Sequence, residues 1–277
     1  MSRKLLFTDL DGTLLELDSY SPELSIPAIR KLQQHQIPVI FCSSKTKAEQ
    51  LELRAELGIK DPFIVENGSA IFIPHGYFNE VLVDHVVKED YVVVELGKSA
   101  DDILSTIQEY RSKFPLDLMG YEDLSLPEIM EITGLDQDGA REASTRDYSE
   151  TFIKGNFEDV DFHHFCLAMD LRGMACVRGS KYVTIMGKYA DKGKAVKILS
   201  ELFAVNWKSK VSTAAVGDSG NDQPMLEAVD QPFLVKKPSN QWHEMEVNSL
   251  QQVDGVGPIG WQIVVDDYLL SDTAIVQ

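Results

Sequence analysis

The stretch Leu5-Leu6-Phe7-Thr8-Asp9-Leu10-Asp11-Gly12-Thr13 decides the fold. A short apolar run ends in two carboxylates set two residues apart. Open parallel sheets place their ligands beyond the carboxyl ends of the strands. Paired carboxylates at such an end suit metal ligation, nucleophilic attack or acid–base work. Gly12 permits the tight turn that presents both.

Outward from this stretch, strand and helix signals alternate. Ser25 is placed to cap a helix with Pro27 near its start and Ile29 and Leu32 on its apolar face. Val39 to Cys42 is a second apolar run. A helical segment with Ala48, Leu51 and Ala55 at helical spacing follows, closed by Gly58. Phe63 to Val65 is a third run. This alternation predicts a parallel sheet with right-handed crossovers. It returns near residue 190: Asp191 opens a helix from Lys192 to Phe203, and Thr213 to Val216 is a strand ending at Gly217-Asp218. A helix from Pro224 to Val229 and a strand around Phe233 to Val235 complete the pattern.

The middle of the chain lacks that alternation. It reads as a hairpin around Pro74-His75-Gly76, a strand from Tyr91 to Leu96 and a helix from Ala100 to Phe114. A capping box, Ser125 to Glu128, opens a helix that Gly134 stops. A second hairpin, Met174 to Met186, turns at Arg178-Gly179-Ser180. The expected organisation is a core of residues 1–84 and 187–277, interrupted by an α+β module at 85–186.

Composition bounds the function. The chain has 277 residues, 44% apolar and 25% charged, which excludes disorder, collagen and coiled coil as its main architecture. No apolar stretch approaches the roughly 18 residues of a membrane span. The first apolar run is too short for a secretory signal core, so a cytoplasmic location is expected. The net charge is −18, and residues 89–161 carry −13 of it, with 19 acidic against 6 basic side chains. Most of those acids read as a solvated surface. So acidic a chain is repelled by nucleic acid and by anionic membrane. An anionic ligand must then be held by a local cation cluster or a metal. Cys42, Cys166 and Cys176 lack metal or disulfide spacing and read as filler. His163 and His164, if on a strand, point to opposite faces and do not chelate together.

Three further segments carry chemistry. Gly217-Asp218-Ser219-Gly220-Asn221-Asp222 follows a strand and offers two more carboxylates, hard oxygen ligands that favour Mg²⁺. Ser43-Ser44-Lys45-Thr46 follows the Val39–Cys42 run. Its hydroxyls and the helix start suit either phosphate binding or simple capping. Lys192 stands in the first turn of a helix, where it opposes the macrodipole and calls for an anion nearby.

Together these segments resemble the haloacid-dehalogenase phosphatase superfamily. The resemblance implies an α/β fold, a Rossmann-like parallel-sheet core with an inserted α+β cap. It makes Asp9 the nucleophile and Asp11 the acid/base. Ser43, Ser44, Lys192 and Asn221 then bind phosphate, and Asp9, Asp11, Asp218 and Asp222 surround Mg²⁺, with Asp11 contributing its carbonyl and Asp222 orienting the others. Glu66-Asn67-Gly68, Met119 to Ser125, Thr133-Gly134-Leu135, Arg146 to Glu150 and Gly257 to Trp261 are similar to the mannosyl-3-phosphoglycerate phosphatase family. Cys42 to Thr46 replaces the Thr-Gly-Arg common in the sugar-phosphatase branch, Arg178 to Tyr182 replaces a Gly-Gly-Arg-Phe, and Thr151 stands in place of proline. The implied ligand is a small anionic phosphosugar, met by Glu66, Asn67, Gly68, Arg146 and Arg178, the two arginines taking its carboxylate. Alternatives with the same core are phosphatases of glucosyl-3-phosphoglycerate, sucrose-6-phosphate or general hexose phosphates, a phosphomutase, and a non-catalytic sensor.

Overall fold

The computed structural model describes residues 2–88, 90–114, 118–153, 159–178 and 182–271. The first half of the core runs β1 (Arg3–Thr8), α1 (Ile26–Gln34), β2 (Val39–Phe41), α2 (Lys47–Leu57), β3 (Phe63–Val65), β4 (Ala70–Pro74), β5 (Val86–Lys88) and β6 (Tyr91–Glu95). The inserted module follows as α3 (Ala100–Lys113), β7 (Met119–Gly120), α4 (Leu126–Thr133), α5 (Gln137–Ser144), β8 (Ser149–Ile153), α6 (Asp159–Leu171), β9 (Met174–Arg178) and β10 (Tyr182–Gly187). The chain returns through α7 (Lys192–Trp207), β11 (Val211–Gly217), α8 (Gln223–Glu227), β12 (Gln231–Lys236), β13 (Gln251–Val256) and α9 (Gly257–Ile263).

The core sheet is parallel, in the order β13-β12-β11-β1-β2. Central β1 explains why its sequence is apolar without alternation: both faces are covered. Leu6 enters one buried cluster with Leu32, Val216 and Trp261, while Leu5 and Phe7 enter the other with Val196, Leu199 and Phe203. Trp261 is fully buried and its indole N–H donates to Thr8 Oγ1 at 3.0 Å, which places the Gly257–Trp261 segment against the end of β1 beside Asp9.

A parallel bridge between Cys42 and Ile64 joins β2 to β3. From β3 the sheet continues antiparallel, in the order β3-β4-β6-β5. Residues 86–95 therefore pair with the core, and the expected module boundary at 84/85 moves past Glu95. The expected hairpin at Pro74-His75-Gly76 does not form. Tyr77 and Phe78 instead pack edge-on against Phe203 of α7, which carries the chain away from β4.

The module's own sheet, β7-β8-β10-β9, is antiparallel. Ile103, Ile107, Phe162, Phe165 and Met169 of α3 and α6 cover one face, against Phe152, Val183 and Ile185. β9 and β10 pair as the predicted hairpin, and residues 179–181 of its turn lie outside the described residues.

Several local expectations change in detail. Ser25 stands at the start of α1, but its hydroxyl donates to the Leu14 carbonyl rather than capping the helix. α2 buries Gln50, Leu53, Arg54 and Leu57 rather than a face centred on Ala48, Leu51 and Ala55. His163 and His164 lie exposed on a helix, not a strand. Cys42 is fully buried, whereas Cys166 and Cys176 are partly exposed. Among the described residues no helix is long and apolar enough to cross a membrane.

Candidate active site

The carboxyl ends of β1 and β11 bring three buried carboxylates together. One ligand oxygen from each of Asp9, Asp218 and Asp222 lies within 4.8 Å of the others. The Lys192 ammonium reaches them from the first turn of α7, at 2.8 Å from Asp9 Oδ1 and 2.6 Å from Asp222 Oδ1. This is the anion its position called for. Asp191 caps the same helix by accepting from Lys194 N at 2.7 Å. A Cβ on Gly193 would stand 2.2 Å from the Pro224 carbonyl oxygen, so α7 starts in tight contact with α8.

Charge in this group is unbalanced. Burial alone would lower the Lys192 pKa, but the Asp222 and Asp9 carboxylates overcome it and raise it well above the usual lysine value. Burial, then the Asp222 charge, raises Asp9 well above the ordinary carboxylate range. The same two causes push Asp218 up to about 6. Three carboxylates facing one ammonium form a hard-oxygen donor set that fits a divalent cation. The roles within the set differ. Asp222 Oδ2 accepts from the Asp218 and Ser219 amides at 3.0 and 3.1 Å, so this side chain fixes the loop that carries Asp218. Gly12 holds a left-handed φ of +75° with its Cβ position 3.2 Å from Asp218 Oδ2, so the turn after Asp11 lies against the same carboxylate.

Asp11 faces elsewhere. Its Oδ1 lies 3.2 Å from Lys45 Nζ, and burial raises its pKa. The Asp11 carboxylate is therefore outside the three-carboxylate group, which is compatible with the expected contribution of Asp11 through its carbonyl. Lys45 also bonds Glu49 at 3.1 Å and sits over the Tyr20 ring at 4.9 Å. Asp11 and Lys45 border a cavity of about 210 Å³ that the module closes with Tyr121, Arg146, Tyr182 and Thr184. A larger hollow of about 470 Å³, bordered by Arg3, Asp61 and Trp207, opens at the amino ends of the strands, away from all these carboxylates.

The other expected site residues divide. Ser43 is buried at the end of β2, and its hydroxyl accepts from Lys45 N at 3.3 Å. Ser44 lines the cavity. Asn221 is exposed, with its amide nitrogen 3.5 Å from Asn67 Oδ1. Glu66 does not line the cavity. Its buried carboxylate accepts from Asp147 N at 2.9 Å, Tyr148 N at 3.1 Å and Ser149 Oγ at 2.5 Å. Gly68 holds φ +92°, and a Cβ there would stand 2.2 Å from the Asp191 carbonyl. Glu66 ties core to module, and Gly68 seats the start of α7. Arg146 borders the cavity, but its guanidinium donates to Ser149 Oγ at 2.8 Å and to the Ser44 carbonyl at 3.0 Å. Arg178 ends β9, and its side chain lies outside the described residues. Reading by motif missed Glu49 and Tyr20, and it quoted Lys45 and Tyr182 within their segments without giving either a role of its own. The Thr46–Glu49 capping box of α2 was the available signal, because it turns Lys45 and Glu49 to the same side of the helix start.

Comparisons with known proteins show the family of the chain. The family model described as haloacid dehalogenase-like hydrolase matches residues 6–245. A glucosyl-3-phosphoglycerate/mannosyl-3-phosphoglycerate phosphatase of Methanococcoides burtonii is 38% identical over 268 residues, 96% of this chain and 97% of its own length. A mannosyl-3-phosphoglycerate phosphatase of Pyrococcus furiosus is 37% identical over 234 residues, 84% of this chain and 90% of its own. A solved structure from Thermoplasma acidophilum shares the fold with a TM-score of 0.64 at 18% identity, covering 95% of this chain and 97% of its own. The chain belongs to the haloacid dehalogenase-like hydrolase family.

Proposed function

We propose that this chain is a Mg²⁺-dependent phosphatase that hydrolyses mannosyl-3-phosphoglycerate, and its glucosyl counterpart, to the glycosylglycerate and phosphate. The observation that carries the reading is the division of two neighbouring carboxylates between two surroundings. Asp9 belongs to the buried carboxylate group with Lys192, whereas Asp11 turns to Lys45 and the module-covered cavity. One suits a nucleophile and the other an acid at the leaving group. The relatives named for these substrates supply the substrate class.

Asp9 attacks phosphorus in line, forming an aspartyl-phosphate as the ester oxygen leaves. Lys192 works against burial and the Asp222 charge, and so favours the ionised Asp9 that attacks. Asp11 gives its proton to the departing oxygen, and its raised pKa suits an acid that holds a proton until needed. The same carboxylate then takes a proton from the water that hydrolyses the intermediate. Asp9 and Asp218 would hold the metal, with Asp222 orienting Asp218. When bound, Mg²⁺ offsets the repulsion between carboxylate and phosphoryl group. Ser43, Ser44, Lys192 and Asn221 would meet the phosphoryl oxygens, where each donor is worth about 3 kcal/mol at the transition state.

The test is phosphate release with Mg²⁺ from mannosyl- and glucosyl-3-phosphoglycerate, 3-phosphoglycerate, sucrose-6-phosphate and mannose-6-phosphate, with Asp9→Asn as the blank. Strong preference for the glycosyl-3-phosphoglycerates is expected. Comparable weak release from all five would discard the named substrates, and release by Asp9→Asn would end the mechanism.

A further inference from the structure

The cavity beside Asp11 has two kinds of wall. Tyr121, Thr151, Tyr182 and Thr184 bring uncharged hydroxyl-bearing side chains from the module. The core brings charge through Asp11, Lys45 and Glu49, and the module adds Arg146. Two cations border the cavity among the described residues, Arg146 and Lys45. The guanidinium of Arg146 is turned to the protein: Nε to Ser149 Oγ, Nη2 to the Ser44 carbonyl and Nη1 to the Ala143 carbonyl at 3.4 Å. Lys45 is different. Its ammonium carries three N–H groups, and two of them face Glu49 at 3.1 Å and Asp11 at 3.2 Å. Among the described residues the third meets no oxygen acceptor, and the Tyr20 ring lies 4.9 Å from the ammonium.

Position gives that third donor a purpose. Asp11 marks the place of the ester oxygen, and Lys45 is its immediate neighbour. In a 3-phosphoglycerate ester the carboxylate sits two carbons from that oxygen. A group held at Asp11 by its ester oxygen therefore brings its carboxylate to the Lys45 end of the cavity, while a sugar on the middle carbon extends toward the hydroxyl-bearing wall. Glu49 Oε2 also accepts from the Thr46 amide at 2.8 Å, so Glu49 is locked to the helix start and holds Lys45 in place.

We propose that Lys45 binds the carboxylate of the leaving group and makes the site selective for phosphate esters that carry a carboxylate on the carbon next to the ester carbon. This rests on the phosphatase reading above and assigns to Lys45 the contact expected of Arg146. A carboxylate suits a cation that is preorganised and partly desolvated, where a charge-assisted bond is strong.

The experiment compares two substrates that differ only in this group: 2-O-glucosylglycerate 3-phosphate and 2-O-glucosylglycerol 3-phosphate, which has a hydroxymethyl in place of the carboxylate. The wild-type chain is expected to favour the first in kcat/KM by about tenfold or more. Lys45→Met lowers both values, because it also removes a neighbour of Asp11, but the preference itself falls by about ten- to a hundredfold. Lys45→Arg, which keeps a cation, retains part of it. An unchanged preference in Lys45→Met overturns the proposal. Absence of phosphate release from either ester by the wild-type chain overturns the phosphatase reading instead. A second measurement needs no variant: glucosylglycerate is expected to inhibit the wild-type enzyme more strongly than glucosylglycerol, and equal inhibition would overturn the role of Lys45.

Discussion

The Ser149 hydroxyl, in the inserted module, donates to the Glu66 carboxylate, in the core, at 2.5 Å across 83 residues of sequence. The same carboxylate accepts the Asp147 and Tyr148 amides, and Arg146 beside them reaches back to the Ser44 carbonyl. The segment leading into β8 is thereby fixed to the loop that carries Ser43 and Ser44. Glu66→Ala leaves two amides and a hydroxyl without their acceptor in a buried place. The expected cost is about 3 kcal/mol of stability, with faster amide exchange at Asp147 and Tyr148. Native-like exchange at those two amides would show that the tie is not what holds the segment.

Lys192 offers a sharper test of the charge arrangement. Lys192→Met leaves Asp9 and Asp222 buried without their shared cation, a change expected to cost about 3–5 kcal/mol because a buried charge loses its partner. Turnover should fall by at least about a hundredfold, since the phosphoryl group loses a donor and Asp9 its counter-ion. Addition of Mg²⁺ should restore part of the thermal stability but not the turnover. Full turnover in Lys192→Met would separate this lysine from the chemistry.

Gly68 and Gly76 form a natural pair of controls. Both hold positive φ, +92° and +75°, but a Cβ on Gly68 would meet the Asp191 carbonyl at 2.2 Å while one on Gly76 meets nothing within 4 Å. Gly76→Ala should therefore cost only the backbone term, about 1 kcal/mol. Gly68→Ala adds a main-chain clash at the start of α7 and should also displace Lys192. Denaturant midpoints and phosphate release on the two variants separate these effects. Equal destabilisation of both would mean that the start of α7 yields without consequence.

The residues legible in the sequence are those whose position follows from an element end. Asp9 and Asp218 each follow an apolar strand, and Lys192 starts a helix, so parallel topology alone brings them together. Side-chain direction was not legible. One residue separates Asp9 from Asp11, yet one carboxylate joins Lys192 and the other Lys45, because the turn at Gly12 sends them apart. Glu66 and Arg146 look like ligands in a string of residues, since a polar side chain in a motif carries no mark of what it touches. Their partners, Ser149 and Ser44, are distant in sequence and become visible only in three dimensions. The strand at Val86–Lys88 was hidden for another reason: it is a short, exposed edge strand, and its apolar residues lack the flanking pattern of a covered one.

The buried carboxylates predict an unusual pH dependence for the metal-free chain. Asp218 titrates at about 6 when folded against an ordinary 3.8, so the folded state binds this proton more tightly than the unfolded one. Its contribution is most favourable below about 4 and is lost as pH rises through 6. Burial raises Asp9 in the same direction. In EDTA the protein should therefore lose stability between pH 5 and pH 7.5, whereas saturating Mg²⁺, which binds the ionised carboxylates, should reduce or reverse the slope. Asp218→Asn removes one titrating group and should flatten the EDTA profile. Thermal midpoints across that range decide the matter: a variant whose slope equals that of the wild-type chain would place the origin of the pH dependence outside Asp218.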